Sequence, residues 1–330
     1  MTVISTRDLQ KSYGNIQALD GVTLNVEAGQ IYGLLGQNGA GKTTLVKILL
    51  GITRGWRGDA ELLGKRAGAR QPRERVGYLP EDHRFPNYHS AASLMDFYGQ
   101  LLGISRKERK RRIPETLGIV GLTSRQHYKI RTYSKGMKQR LGIAQALFHD
   151  PDVIFLDEPT DGVDPVCRRQ IREMLQHLKA KGTTIFLNSH LLGEVELVCG
   201  RVAILRRGRM IREGGVEELT QQKGLYSLGI GEDQTFPEND LIDMGYGVEW
   251  TGRLWELTLL EGQNIDDVVD FLRSRKVSIR HLVEKRITLE DLFLSTHDDQ
   301  GPEDMGRPAD PRERRERRDR REAIQRRDDK

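Results

Sequence analysis

Residues 36–43 read GQNGAGKT and fit the phosphate-loop pattern G-x-x-x-x-G-K-[S/T] at every defined position. A short apolar run at 31–35 precedes them, and 44–50 has the apolar spacing of a helix. The glycines let the backbone curl so that N–H groups face phosphate oxygens, and the helix start adds its positive dipole end. Lys42 is placed to reach the β- and γ-phosphates, and the Thr43 hydroxyl to bind Mg²⁺.

Two further apolar runs end in polar side chains. Residues 153–156, with no polar alternation, are followed by Asp157 and Glu158, and a second run at 184–187 leads to His190. Runs of this kind are typical of strands buried on both faces of a parallel sheet, whose carboxyl ends meet at one edge. We expect Asp157 to hold Mg²⁺ through water, and Glu158 to orient or deprotonate the water that attacks the γ-phosphate.

Two other features are ambiguous on their own. Ser134 precedes an apolar helical stretch at 141–148 and is a natural N-cap, which fits either a second anion site or a simple helix cap. Tyr13 is expected between two strands, at 3–9 and 18–26, where its ring can stack on a purine base or merely pack.

Composition and local charge argue against a membrane-spanning, a secreted or a nucleic-acid-binding protein. With 37% hydrophobic residues and a mean hydropathy of −0.58, the chain has no apolar run of membrane-spanning length, and its N-terminus has no signal-peptide pattern. Cys167 and Cys199 have no metal-ligand spacing, which suits a reducing cytosol. The net charge of +5 is spread over a chain that is 31% charged. The basic run RKERKRRI lacks interleaved aromatic residues, so we expect a solvated helix face and no nucleic-acid partner.

Four segments, GQNGAGKT, YSKGMKQR, VIFLDEPTDGVDP and NSHL, occur in this order along the chain. Together they resemble the nucleotide-binding subunit of an ATP-binding-cassette (ABC) transporter over residues 1–220. The resemblance implies an α/β fold: a P-loop NTPase core with a parallel sheet, an antiparallel β subdomain and a helical subdomain. It also implies ATP and Mg²⁺ as cofactors and ATP hydrolysis as the activity.

The resemblance assigns roles to individual residues. The residues expected to act in catalysis are Lys42, Glu158 and His190. The residues expected to bind the magnesium ion are Thr43, Glu81 and Asp157. The residues expected to bind ATP are Tyr13, Gly36, Asn38, Gly39, Ala40, Gly41, Lys42, Thr43, Thr44, Ser134, Gly136 and Asp164.

The chain departs from the family pattern at two places. The usual signature L-S-G-G-Q reads Tyr133-Ser134-Lys135-Gly136-Met137 here, and Glu81 stands where the family usually has Gln. Ser134 and Gly136, which make the phosphate contact in the family, are retained. Glu81 keeps an oxygen for Mg²⁺ but loses the amide donor.

The family also implies partners. Two subunits would enclose two ATP molecules as a homodimer and drive a separate integral-membrane permease from the cytoplasmic face of the membrane. The segment ITLEDLFL resembles the end of the subunits of drug, polysaccharide and sodium exporters, which favours export. The alternative is a soluble cassette ATPase acting on the ribosome or nucleic acid. A GTPase or small-molecule kinase is disfavoured, because no N/T-K-x-D guanine motif occurs.

Sequence patterns after residue 220 predict two further regions. Residues 221–296 show short strands and helices, with a strand at 254–260, a helix at 265–275 and a strand at 277–283, and so predict a small α+β accessory domain. Residues 297–330 are rich in Arg, Asp and Glu and cannot bury a core, which predicts a disordered tail.

Overall fold

The computed structural model of the chain describes residues 1–69, 74–231, 233–260 and 262–298. These residues contain three β-sheets with surrounding helices. The strands in chain order are β1 (Thr2–Tyr13), β2 (Ile16–Glu27), β3 (Ile31–Leu35), β4 (Arg57–Leu62), β5 (Lys65–Arg66), β6 (Val76–Leu79), β7 (Val153–Asp157), β8 (Thr184–Ser189), β9 (Arg201–Arg206), β10 (Arg209–Gly215), β11 (Gln221–Ile230), β12 (Gly247–Trp250), β13 (Trp255–Thr258) and β14 (Ile279–Arg286). The α-helices are α1 (Lys42–Leu49), α2 (Ala91–Leu101), α3 (Arg106–Ile119), α4 (Lys135–Leu147), α5 (Pro165–Ala180), α6 (Leu192–Val198), α7 (Val216–Thr220), α8 (Glu238–Asp243), α9 (Ile265–Ser274) and α10 (Leu289–Asp298).

The central sheet has six strands in the order β10-β9-β3-β8-β7-β6. All pairs from β9 to β6 are parallel, and β10 pairs with β9 as an antiparallel hairpin. Every residue of β3, β7 and β8 is buried, because other elements cover both faces of this sheet. The buried strands expected at 31–35, 153–156 and 184–187 are therefore confirmed.

A four-stranded antiparallel sheet, β2-β1-β4-β5, packs against this core. One hydrophobic cluster contains residues of this antiparallel sheet, of α1 and of the central strands. Its members include Ile4, Leu24, Leu45 and Phe155. β1 and β2 are longer than expected from the sequence. They pair as far as Tyr13 opposite Ile16, so Tyr13 ends a strand and does not lie in a loop. A short turn at 14–15, with Gly14 at φ +56°, allows the pairing to continue that far.

Helices α2 and α3 and two short 3₁₀ helices, Thr123–Arg125 and Ile130–Thr132, form a helical segment between β6 and α4. Ser90 caps α2 in a capping box with Ser93, and Ser105 caps α3. Most basic residues of α3 are exposed, and Glu108 pairs with Arg111 and Arg112. The basic run is therefore a solvated helix face, as expected.

The third sheet has the order β12-β13-β11-β14 and, with α9, encloses its own small hydrophobic cluster around Leu228, Leu257 and Leu272. The expected helix at 265–275 and the strands near 254–260 and 277–283 are present with shifted ends, whereas β11, β12 and α8 were not foreseen. The backbone N–H of Leu289 donates to the Glu196 carboxylate of α6 at 3.0 Å.

Residues 1–292 form one compact unit; of a second, 293–330, the structure describes only 293–298, the end of α10. The division into domains at 1–220 and 221–296 stays a prediction. The first two residues of the predicted tail, 297 and 298, belong to α10, and 299–330 lie outside the described residues. Within the described ranges, no helix combines the length and the apolar composition needed to cross a membrane.

Phe186 offers a test of the central core. Its ring is fully buried on β8, 5.6 Å from the Tyr32 ring and 5.3 Å from the Phe155 ring, measured between centroids. We expect Phe186→Ala to lower the free energy of unfolding by about 3–5 kcal/mol, because it leaves a cavity between two rings. Denaturant unfolding measures the change. Val166→Ala, at an exposed side chain, should change it by less than about 0.5 kcal/mol; equal effects of the two would contradict the packing.

Candidate active site

The phosphate loop joins β3 to the start of α1. Gly41, the N-cap residue of α1, has φ +109°, and a Cβ there would lie 2.4 Å from the Ala18 carbonyl oxygen, so no larger residue fits. No described side chain caps α1, which leaves its first N–H groups free for an anion. Asn38 and Gly39 are exposed at the loop tip, whereas Ala40 is buried. The loop has the backbone arrangement of an anion cradle.

The Lys42 side chain lies inside this loop. It is only 6% exposed, and its Nζ donates to the carbonyl oxygens of Gly36 at 2.6 Å and Gln37 at 3.2 Å. Burial lowers the pKa of Lys42, while the negative charges of Glu158, Asp157 and Glu81 oppose this shift. The ammonium therefore lies between backbone oxygens of its own loop and the acids at the ends of the neighbouring strands.

Thr43 and Asp157 bring a hydroxyl and a carboxylate together. Thr43 Oγ1 donates to Asp157 Oδ2 at 3.3 Å, and Asn188 Nδ2 donates to Asp157 Oδ1 at 2.5 Å. Burial and the nearby charge of Glu81 raise the pKa of Asp157 to about 6, while the bond from Thr43 opposes the rise. Glu81 itself is exposed after β6. Burial, together with the charges of Asp157 and Glu81, raises the pKa of Tyr78 to about 12.

These oxygens fit a magnesium ion that is also bound by phosphate. No described group of three or more His, Cys, Asp or Glu side chains could hold a metal by itself. Mg²⁺ in nucleotide sites commonly uses only one or two protein oxygens, with phosphates and waters completing its coordination. Asn188 Oδ1, buried beside Asp157, has no described hydrogen-bond partner, so it can accept from a metal-bound water. The assignment of Thr43, Asp157 and Glu81 to the ion stays a prediction.

Glu158 lies beside Asp157 and is 5% exposed. Ser189 Oγ donates to Glu158 Oε2 at 3.2 Å, and His190 Nδ1 lies 2.9 Å from Oε1. The His190 side chain is 40% exposed, so it links the buried carboxylate to the surface of the site. The sequence pattern alone assigned no role to Asn188 and Ser189, although polar residues that end a fully buried strand are a signal for one.

A second group of candidate residues is assembled around the start of α4. Ser134 caps α4 by accepting from Met137 N–H at 3.2 Å, as its N-cap position predicted. A Cβ on Gly136 would lie 2.7 Å from Cys167 Sγ, and Asp164 caps α5 by accepting from Cys167 N–H at 2.9 Å. Ser134, Gly136 and Asp164 therefore belong to one packed corner, and their contact with nucleotide stays a prediction.

Tyr13 belongs to the antiparallel sheet. Its ring is 47% exposed, and Lys11 Nζ lies 4.7 Å from the ring centroid. Lys11 is itself held by the carbonyl oxygens of Arg54 and Gly55 at 2.8 and 3.0 Å. The exposed area of the ring suits stacking on a base. The role of Tyr13 in binding adenine stays a prediction.

The raised pKa of Asp157 predicts a pH-dependent stability. An Asp of the unfolded chain titrates near about 3.9. Since the folded-state pKa is higher, about 6, stability from this group is complete below about pH 4 and is lost as the pH rises through about 6. Without nucleotide or Mg²⁺, we expect the free energy of unfolding of Asp157→Asn to rise relative to that of the wild type as the pH increases. The difference should grow by about 1–3 kcal/mol between about pH 4 and pH 7. Urea unfolding across this range checks it, and a constant difference would contradict it.

Comparison with known proteins places this geometry in a family. The model of the family described as ABC transporter matches residues 19–161. An uncharacterised ABC transporter ATP-binding protein of Synechocystis sp. is 40% identical over 304 residues, covering 88% of this chain and 84% of the relative. A Nod factor export ATP-binding protein I of Cupriavidus metallidurans is 39% identical over 244 residues, covering 73% of this chain and 80% of the relative.

A solved structure of the ATP-binding subunit of an ABC transporter matches with a TM-score of 0.60 and 30% identity, covering 66% of this chain and 92% of that one. The predicted α/β fold is confirmed by this likeness. The chain belongs to the ABC transporter ATP-binding proteins and is an ATPase of that family.

Proposed function

We propose that this chain binds and hydrolyses ATP to drive a membrane permease, through closure of an ATP-dependent homodimer. The observation that carries the hydrolytic part is the Glu158 carboxylate, buried at the same sheet edge as Lys42 and held by Ser189 and His190 at 3.2 and 2.9 Å. A carboxylate so placed has the position of a general base. The family membership supports ATP as its substrate.

Each residue at this edge has a role that follows from its atoms. The loop N–H groups and the Lys42 ammonium bind the phosphates, and Thr43, Asp157 and Glu81 would hold Mg²⁺, which would supply positive charge against the developing negative charge of the reaction. Glu158 orients a water and accepts its proton. The water oxygen bonds to the γ-phosphorus while the bond from that phosphorus to the β-phosphate oxygen breaks, giving ADP and phosphate. His190 holds Glu158 Oε1 in place, and it is exposed enough to reach a γ-phosphate.

The packed corner of Ser134, Gly136 and Asp164 is the surface that we assign to a second subunit. The family resemblance supports contact of Ser134 and Gly136 with the γ-phosphate bound by the partner, and passage of the Asp164 loop between the subunits. Two chains would then share two ATP molecules. ATP binding favours the closed dimer and hydrolysis the open one, so work comes from the difference in their stabilities.

The transporter names of the relatives support a permease partner and a peripheral place at the cytoplasmic face of the membrane. Export is the direction that we propose, since a relative that matches 73% of this chain is named for Nod factor export. We assign residues 221–296, which include the third sheet, to an accessory domain beside the ATPase domain of residues 1–220.

Glu158→Gln tests the general base. An amide keeps the shape of the side chain but cannot accept the proton, so we expect ATP turnover to fall by about 10²–10⁴-fold. ATP binding should persist, and an ATP-bound dimer should accumulate on size exclusion. Glu173→Gln, which changes a 62% exposed carboxylate on α5, should leave turnover near that of the wild type. Near-normal turnover by Glu158→Gln would remove Glu158 from this role.

Lys42→Ala tests the phosphate loop. Removing the ammonium deletes charge-assisted contacts to phosphate, so the affinity for Mg²⁺-ATP should fall at least about tenfold in calorimetry. Lys47→Ala is a matched control, because Lys47 lies on the same helix with an exposed side chain. Unchanged affinity in Lys42→Ala, with a folded protein by circular dichroism, would contradict the assignment of the loop.

A further inference from the structure

The backbone of Glu158 has an unusual conformation for a residue with a side chain. Its φ is +50°, in the left-handed region that costs a non-glycine residue about 1–2 kcal/mol. Such a conformation persists only where surrounding contacts fix it. Its N–H donates to the Asn188 carbonyl oxygen of β8 at 2.9 Å, which holds the residue on its amino side.

The carboxyl side of Glu158 is held from a different element, helix α4. Gln139 Nε2 donates to the Glu158 carbonyl oxygen at 3.3 Å, and the Gln139 side chain is only 5% exposed. The Asp161 N–H donates to the same oxygen at 3.2 Å and closes the turn after Glu158. Gln139 is therefore a buried side chain that fixes the peptide following the proposed base.

The same helix contacts this turn at a second point, one helical turn earlier. Residues four apart lie on one helix face, so Lys135 projects on the side of Gln139. Lys135 Nζ lies 3.1 Å from Asp161 Oδ2, and both side chains are more than half exposed, at 59% and 51%. An exposed ion pair of this kind contributes little to stability by itself.

Packing gives this ion pair a defined geometry. Gly162 has φ +59°, and a Cβ there would lie 1.8 Å from Lys135 Nζ and 2.9 Å from its Cε. The lysine side chain therefore lies across the turn in space that only a glycine leaves open. Both contacts, Gln139 with Glu158 and Lys135 with Asp161, join one face of α4 to a single short turn.

We propose that α4 clamps residues 158–161 and so positions Glu158 for hydrolysis, with Gln139 and Lys135 as positioning residues. The inference rests on the proposed role of Glu158 and deepens it. Because α4 begins at the Ser134 cap, nucleotide contact at Ser134 acts on the same helix that holds the peptide of Glu158. The clamp links the corner assigned to the partner subunit to the base of this subunit's own site.

Gln139→Met is the first test, since it keeps the size of the side chain and removes the donor. We expect kcat to fall about five- to tenfold, as the loss of one buried hydrogen bond implies, with KM for ATP within about twofold of the wild type. The variant should also accumulate the ATP-bound dimer, as Glu158→Gln does. A purely structural role would lower the melting temperature without accumulating that dimer. A wild-type kcat in Gln139→Met would overturn the clamp.

Lys135→Met and Asp161→Asn form a second test at exposed positions, where misfolding is not expected. Each should lower kcat by about two- to fivefold, and the double variant should be no worse than either single one, because all three break the same contact. Arg169→Met breaks an exposed pair with Glu173 on α5 and is the matched control, with wild-type kcat expected. A defect in Lys135→Met with normal Asp161→Asn would assign Lys135 to the nucleotide and overturn the clamp.

The two proposals fail in different ways. Absence of ATP turnover in the wild type, or full turnover in Glu158→Gln, overturns the proposed function. If wild-type turnover depends on Glu158 and yet Gln139→Met has wild-type kinetics and no accumulated dimer, only the clamp is overturned.

Discussion

The parallel pairing of β3, β8 and β7 is the constraint on which the candidate site depends. Its register places Leu35 opposite Ser189 and Asp157 opposite Asn188. The phosphate loop, His190 and Glu158 therefore leave the sheet at the same edge, where open α/β sheets bind ligands. A slip of one residue between β7 and β8 would turn the side chains of one strand to the opposite face of the sheet and separate Asn188 from Asp157.

This edge concentrates charge that would be costly to bury without partners. Lys42, Asp157 and Glu158 are 6%, 2% and 5% exposed. Each has hydrogen-bonding or ionic partners within the protein, and burial, followed by the charge of Glu81, still raises the pKa of Asp157 to about 6. In the proposed function, a triphosphate with its magnesium ion would bring anionic oxygens to the lysine and a cation to the acids. The charges of such a ligand would then complement those of the site.

Short sequence patterns predicted those parts of the fold that depend mainly on neighbouring residues in the chain. The phosphate loop, the buried strands and the Ser134 cap are read from apolar runs and cap residues, and the structure contains each. The hydrogen bonds of Asn188, Ser189 and Gln139 were not predictable, because they join residues distant in sequence. Strand β11, QQKGLYSLGI, was missed since its polar residues and glycines obscure the alternation of a strand, and the third sheet forms only through its pairing with β13 and β14.

The hydrogen bond from Leu289 to Glu196 joins the start of α10 to α6, the helix that follows His190. Leu289 is fully buried, so the start of α10 is anchored by its side chain as well as by this backbone contact. A displacement of α6 must carry the start of α10 with it or leave an unpaired N–H beside a carboxylate. The start of α10 is thus coupled to the helix that follows His190, and a truncation of the chain before residue 289 removes this restraint on α6.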